Sequence, residues 1–128
     1  MSGAGAALLA AARTVLKEVD GHSGLFEPGP IQAADCHGVI EAGPETDWSH
    51  KSGTGRELRV AVTVRTAGER SGTARAFADT VEAKLAQLSG EAGGWRIVSM
   101  QFLRSHIVRE RKSGWAAVVE FRARMLRL

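Results

Sequence analysis

The decapeptide "ELRVAVTVRT" at residues 57–66 alternates without a break. Leu58, Val60, Val62 and Val64 stand on one side, and Arg59, Ala61, Thr63 and Arg65 on the other. Patterning this strict implies an extended strand with one face buried and the other wet. The same pattern returns near the end of the chain. There Trp115, Ala117, Val119, Phe121, Ala123 and Met125 alternate with Ala116, Val118, Glu120, Arg122 and Arg124. Two half-buried strands require a sheet and a layer to cover its apolar side. Two helical segments can supply that layer. Residues 3–19 place Leu8, Ala12, Val15, Leu16 and Val19 on one stripe, with Ser2 as a capping residue and Gly21 as a left-handed end. A second helix starts after Ser71 as N-cap and runs to about Leu88, with Phe77, Val81, Leu85 and Leu88 on one stripe and Gly90 beyond its end.

Further strands complete the sheet. "HGVIEAG" at 37–43 reads as a short strand, and residues 95–109 as a long one joined to 115–127 through the turn "RERKSG". Within 95–109, Val98, Met100 and Phe102 share a face. Arg104 and His106 then continue it while Leu103 and Ile107 oppose them. Such a change of phase marks a bulge, or a strand leaving the core. Residues 25–36, with two prolines around a glycine, read as an irregular connection, and "GEAGG" at 90–94 as a turn. The order helix, strand, strand, helix, strand, strand predicts an α+β fold. Its sheet has four mainly antiparallel strands, with both helices on one face and residues 1–128 forming a single domain.

Composition narrows the classes. The chain is 44% hydrophobic and 24% charged, with four Phe, three Trp and no Tyr, so its core is aliphatic. No apolar run approaches the ~20 residues of a membrane span, and no membrane partner is expected. The Ala-rich start lacks a basic n-region and reads as a helix, not a signal peptide. Cys36 is the single cysteine, which rules out an internal disulfide and fits synthesis in a reducing compartment. Charge is uneven. Residues 1–95 hold 9 Lys/Arg against 12 Asp/Glu, a balance of −3, whereas residues 96–128 hold 8 against 2, a balance of +6. A basic final third suits an acidic partner, protein or nucleic acid, or else a solvated strand face.

Catalytic groupings are weak. Asp47, Ser49 and His50 have the composition of a hydrolytic triad, yet they crowd one loop where no scaffold holds base against nucleophile. An Asx or Ser turn accounts for them better. Cys36 and His37 are adjacent, so a strand would point them to opposite faces, and His22, His50 and His106 lack ligand spacing. "SGTGR" and "GERSGTA" lack the Gly-Lys-Ser/Thr ending of a phosphate loop. The reading is no enzyme, no metal site and no cofactor. A nucleic-acid reader would interleave aromatic and basic residues on one face. Here the alternation sets Trp115 and Phe121 opposite Arg122 and Arg124, leaving only nonspecific attraction to phosphates open.

One stretch remains unexplained by turn chemistry. "ETDWSHKSGTGRE" at 45–57 carries a tryptophan among polar, turn-forming residues. Together, "DWSHKSGTGRELRVAVTVRT", "ARAFADTVEAKLAQL", "WRIVSMQFLRSHIVRE" and "GWAAVVEFRARM" resemble the tail-completion or tail-terminator proteins of long-tailed phages and gene transfer agents. The likeness spans nearly the whole chain. It departs at "CHGVIEAG", where the family often has an aromatic residue entering the first strand. The resemblance implies a homo-oligomeric ring, usually a hexamer, that caps the tail tube and meets a head-side neck or stopper protein. DNA would pass through its lumen without sequence-specific binding. The expected location is the tail–neck junction of a virion or gene transfer agent particle, after synthesis in the bacterial cytoplasm. Asp47, Trp48, Lys51, Arg56, Arg122 and Arg124 are then the residues expected at a subunit or tube interface. Trp48 would anchor against a neighbour, unless it folds back over its own sheet edge. Alternatives are a neck stopper or adaptor of the same particle, and a basic nucleic-acid-binding module.

Overall fold

A computed structural model describes residues 3–17, 36–68, 70–110 and 114–128. Helix α1 (Ala4–Leu16) and helix α2 (Gly72–Ala86) accompany strands β1 (Cys36–Asp47), β2 (Gly55–Thr66), β3 (Gly90–Ala92), β4 (Trp95–Arg109) and β5 (Trp115–Arg127). The strands form one antiparallel sheet in the order β1-β2-β5-β4-β3. The class is α+β, as the patterning predicts, but the strand count is five and not four. The extra strand, β3, lies in the glycine stretch read above as a turn. Three residues are too few to show alternation. Gly93 and Gly94, at φ 56° and 88°, supply the two left-handed residues of its tight hairpin to β4.

The central pair β2–β5 builds the core. Val60 faces Phe121, Val62 faces Val119 and Leu58 faces Ala123 across the ladder, and all six are buried. Both helices cover this side. Leu8, Ala12 and Leu16 of α1, with Ala4 and Ala7, are buried, as are Ala74, Ala78, Val81 and Leu85 of α2. Alanines at these positions let α1 approach β1 and α2 closely. Helix α1 begins at Gly3, which is extended and carries no capping side chain, in place of the expected Ser2. Ser71 does occupy the N-cap of α2, but its hydroxyl makes no capping hydrogen bond. Helix α2 ends at Ala86, two residues before the predicted limit. The expectations for Val19, Gly21, His22 and the connection 25–35 lie outside the described residues.

Strand β1 is longer than predicted. Its register slips between Ala42 and Glu45, and Pro44 sits in that slip on an edge strand. A missing N–H is harmless in that position, so the proline bends the strand without ending it. Strand β4 contains the predicted phase change as a register shift between Phe102 and Arg104, plus an earlier shift between Ile97 and Ser99. The shift between Ile97 and Ser99 overturns one expected grouping: Met100 turns toward the core, whereas Val98 turns outward and is 45% exposed.

Candidate assembly site

The tryptophan segment is an ordered hairpin tip. The Trp48 N–H donates to the Gly55 carbonyl at 2.9 Å, and His50 and Gly53 exchange backbone bonds of 2.8 and 3.1 Å. Lys51 and Ser52 are the two residues of the turn itself, both exposed. Side chains reinforce the ladder. The Ser49 hydroxyl donates to Asp47 Oδ1 at 2.5 Å and accepts from the Gly55 N–H at 3.0 Å. The proton of Ser49 is thus directed at Asp47, not at His50. The His50 ring instead meets the Trp48 indole edge-on, 4.6 Å between centroids. The arrangement is a turn lock and lacks the nucleophile–base contact of a triad. No group of three or more His, Cys, Asp or Glu among the described residues is placed to hold a metal ion.

Gly55 has a reason to be glycine. A Cβ there would lie 2.3 Å from the Trp48 carbonyl oxygen and 3.1 Å from Leu126 Cδ2. Two strands of the hairpin therefore touch backbone to backbone at this point.

Alternation divides the predicted interface residues between two sides of the sheet. Arg56 lies opposite Met125, on the helix side, where its guanidinium reaches Asp47 at 3.3 Å and Glu45 at 3.7 Å. Trp48 belongs to the other group. It is half-buried, and the Arg124 guanidinium lies 5.3 Å from its ring centroid, within cation–π range. Arg124 Nε in turn donates to Glu57 Oε1 at 2.9 Å, and Arg122 Nε lies 3.6 Å from the same oxygen. Arg122 also donates to Gln101. Trp48, Arg124 and Arg122 thus form one cluster strung on Glu57, Asp47 and Arg56 form a second, and Lys51 stands at the tip. No sequence pattern singles out Glu57, because its role depends on the register Glu57↔Arg124, and a single strand pattern does not contain a register.

Beyond this cluster the uncovered face continues with Arg59 opposite Arg122, and with Arg104 paired to Glu120. Its cations are largely held by carboxylates of the same sheet. These pairs are partly exposed, so each contributes little stability. Replacing Glu57 by Gln should lower stability by about 0.5 kcal/mol, read from a denaturant midpoint. A loss several times larger would show that the carboxylate is a structural keystone. Phe121 and Trp95 are buried, which leaves them no part in stacking on bases.

The comparisons agree with this architecture. A chain from a solved structure described as "Virion of native gene transfer agent (GTA) particle" is 27% identical, with a TM-score of 0.79. The alignment covers 98% of this chain and 99% of that one. Among curated proteins none matches. The family model described as "Tail completion protein gp17" matches residues 2–126, nearly the whole sequence, and the chain belongs to that family.

Proposed function

We propose that this chain is a tail terminator: a ring of identical copies that closes the tail tube of a long-tailed phage or gene transfer agent and joins it to the head-side connector. The observation carrying this reading is the near-complete match to a chain of a gene transfer agent virion, together with family membership. A structural part in the tail, without catalytic duty, suits a site built from a hairpin lock and intramolecular ion pairs. Asp47, Trp48, Lys51 and Arg56 on the hairpin, and Arg122 and Arg124 on the uncovered face, are the proposed contacts with neighbouring copies or the tube. Trp48 is the anchor among them. Its indole already contacts Arg124 and His50 yet stays only half-buried, and interface energy concentrates on such aromatics.

Replacement of Trp48 by Ala tests the reading. The isolated chain should lose about 1 kcal/mol, the worth of a partly exposed cation–π contact and some packing. Assembly should lose about 2 kcal/mol per contact, enough to remove the ring. Electron microscopy of particles should show the wild-type chain as a ring at the head end of the tube, and uncapped or overlong tubes with the variant. Absence of the wild-type chain from that junction, or its presence there as single copies, would refute the proposal. A position one step nearer the head in the same images would favour a stopper or adaptor.

A further inference from the structure

The two margins of the sheet carry opposite charge. Strand β1 contains Glu41, Glu45 and Asp47 and no Lys or Arg, whereas β4 contains Arg96, Arg104, Arg109 and His106 and no Asp or Glu. Strand β3 covers β4 only from Trp95 to Ile97. From Ser99 to Arg109 the outer side of β4 pairs with no strand among the described residues, and β1 pairs with β2 alone. Of the four exposed large hydrophobic residues described, Val98, Phe102 and Val108 lie on β4. An open strand edge with apolar side chains is a template for a further strand.

We propose that the free edge of β4 pairs with the Gly38–Ala42 edge of β1 in a second copy of this chain, so that the ring is bonded sheet to sheet. This rests on the ring reading and names the surfaces that build it. Three features select the partner. First, the one carboxylate of the β1 tract, Glu41, comes opposite His106 in a β4 tract that also holds Arg109, so opposite charges meet head to tail, while β4–β4 pairing would set like charges together and end as a closed dimer. Second, neighbouring strands alternate in direction, so β1 and β4 of one copy run oppositely. Rotating a copy about an axis along the strands, as a ring does, sets β4 antiparallel to the β1 of its neighbour. Third, regular register survives in both tracts, from Gly38 to Ala42 in β1 and from Arg104 to Arg109 in β4. The slip at Pro44 confines pairing to the first half of β1. Every copy then presents its helices to one wall of the ring and its arginine-bearing face to the other.

Cysteine cross-linking in assembled particles tests the edge directly. In a Cys36→Ser background, Glu41→Cys combined with His106→Cys places thiols on facing margins of adjacent copies. Val39→Cys with Val108→Cys is an independent second pair in the same antiparallel register. Treatment with a short bismaleimide should give a ladder of covalent multimers beyond the dimer from each double variant, and none from any single-cysteine chain. Particles that carry many copies yet yield no ladder from either pair would overturn edge pairing and leave the ring standing. Absence of the wild-type chain from particles would overturn the ring itself, and this inference with it.

Discussion

Replacing Phe121 by Ala should lower the unfolding free energy by about 3–5 kcal/mol, the range for emptying an aromatic site in a packed core. Phe121 is fully buried in the middle of β5, opposite Val60 on one side and Phe102 on the other, with the two phenyl rings edge to face at 5.7 Å. Both helices and the whole sheet close over this one layer, so no flexible neighbour stands ready to fill the void. A domain of this size has a total stability of about 5–15 kcal/mol. The loss should appear in calorimetry as a fall of roughly 10–20 °C in Tm. Phe102→Ala is the control. That ring, on β4, is 43% exposed, and its removal should cost about 1 kcal/mol. Equal losses from the two variants would mean that the core is not centred where the sheet register places it.

Gly55→Ala should destabilise by about 3 kcal/mol, the upper end of the range for inserting a single methyl group into packed surroundings. The reason is local. The nearest atoms to the new methyl would be the carbonyl oxygen and carbon of Trp48, at 2.3 and 2.9 Å, and backbone cannot rotate aside as a side chain can. The hairpin must open at the Trp48–Gly55 bond or shear along β5 past Leu126. Either movement carries the indole off Arg124, so the tryptophan emission maximum should shift as well as the melting temperature. Gly53→Ala, two residues away, meets open space and should change stability by less than about 0.5 kcal/mol. An unperturbed Gly55→Ala chain would show that the hairpin is looser than its hydrogen bonds imply.

The parts of this fold legible beforehand were those written in local pattern. Strands β4 and β5 begin and end where the alternation does, at Trp95, Arg109, Trp115 and Arg127. The uninterrupted alternation of β2 put Val62 in the core without ambiguity. What could not be read was written in pairing. Gly90–Ala92 becomes a strand only because Trp95–Ile97 is there to receive it. Strand β1 runs through Pro44 only because its outer side has no ladder to break. The tryptophan segment looked like a loose loop because Ser, Thr, Lys and Gly are turn formers in isolation. It is a continuation of the β1–β2 ladder, fixed by Ser49 bridging Asp47 and Gly55. The proposed interface residues divide the same way. Trp48 stood out by type, whereas its association with Arg124 arises across three strands and 76 positions of sequence, a juxtaposition no short motif encodes.

For the ring proposed above, the folded state of that hairpin would set how fast assembly can go. A segment that ordered itself only on docking would add a search step to every encounter and would slow capture. Here the hairpin is closed within the single chain, with Trp48 held against Arg124 and its turn bonded between His50 and Gly53. On the ring reading proposed above, joining the mouth of a tube would be a rigid-body encounter, limited by collision and orientation. Speed of that kind is what a part needs if it must intercept a growing polymer before the next tube subunit does.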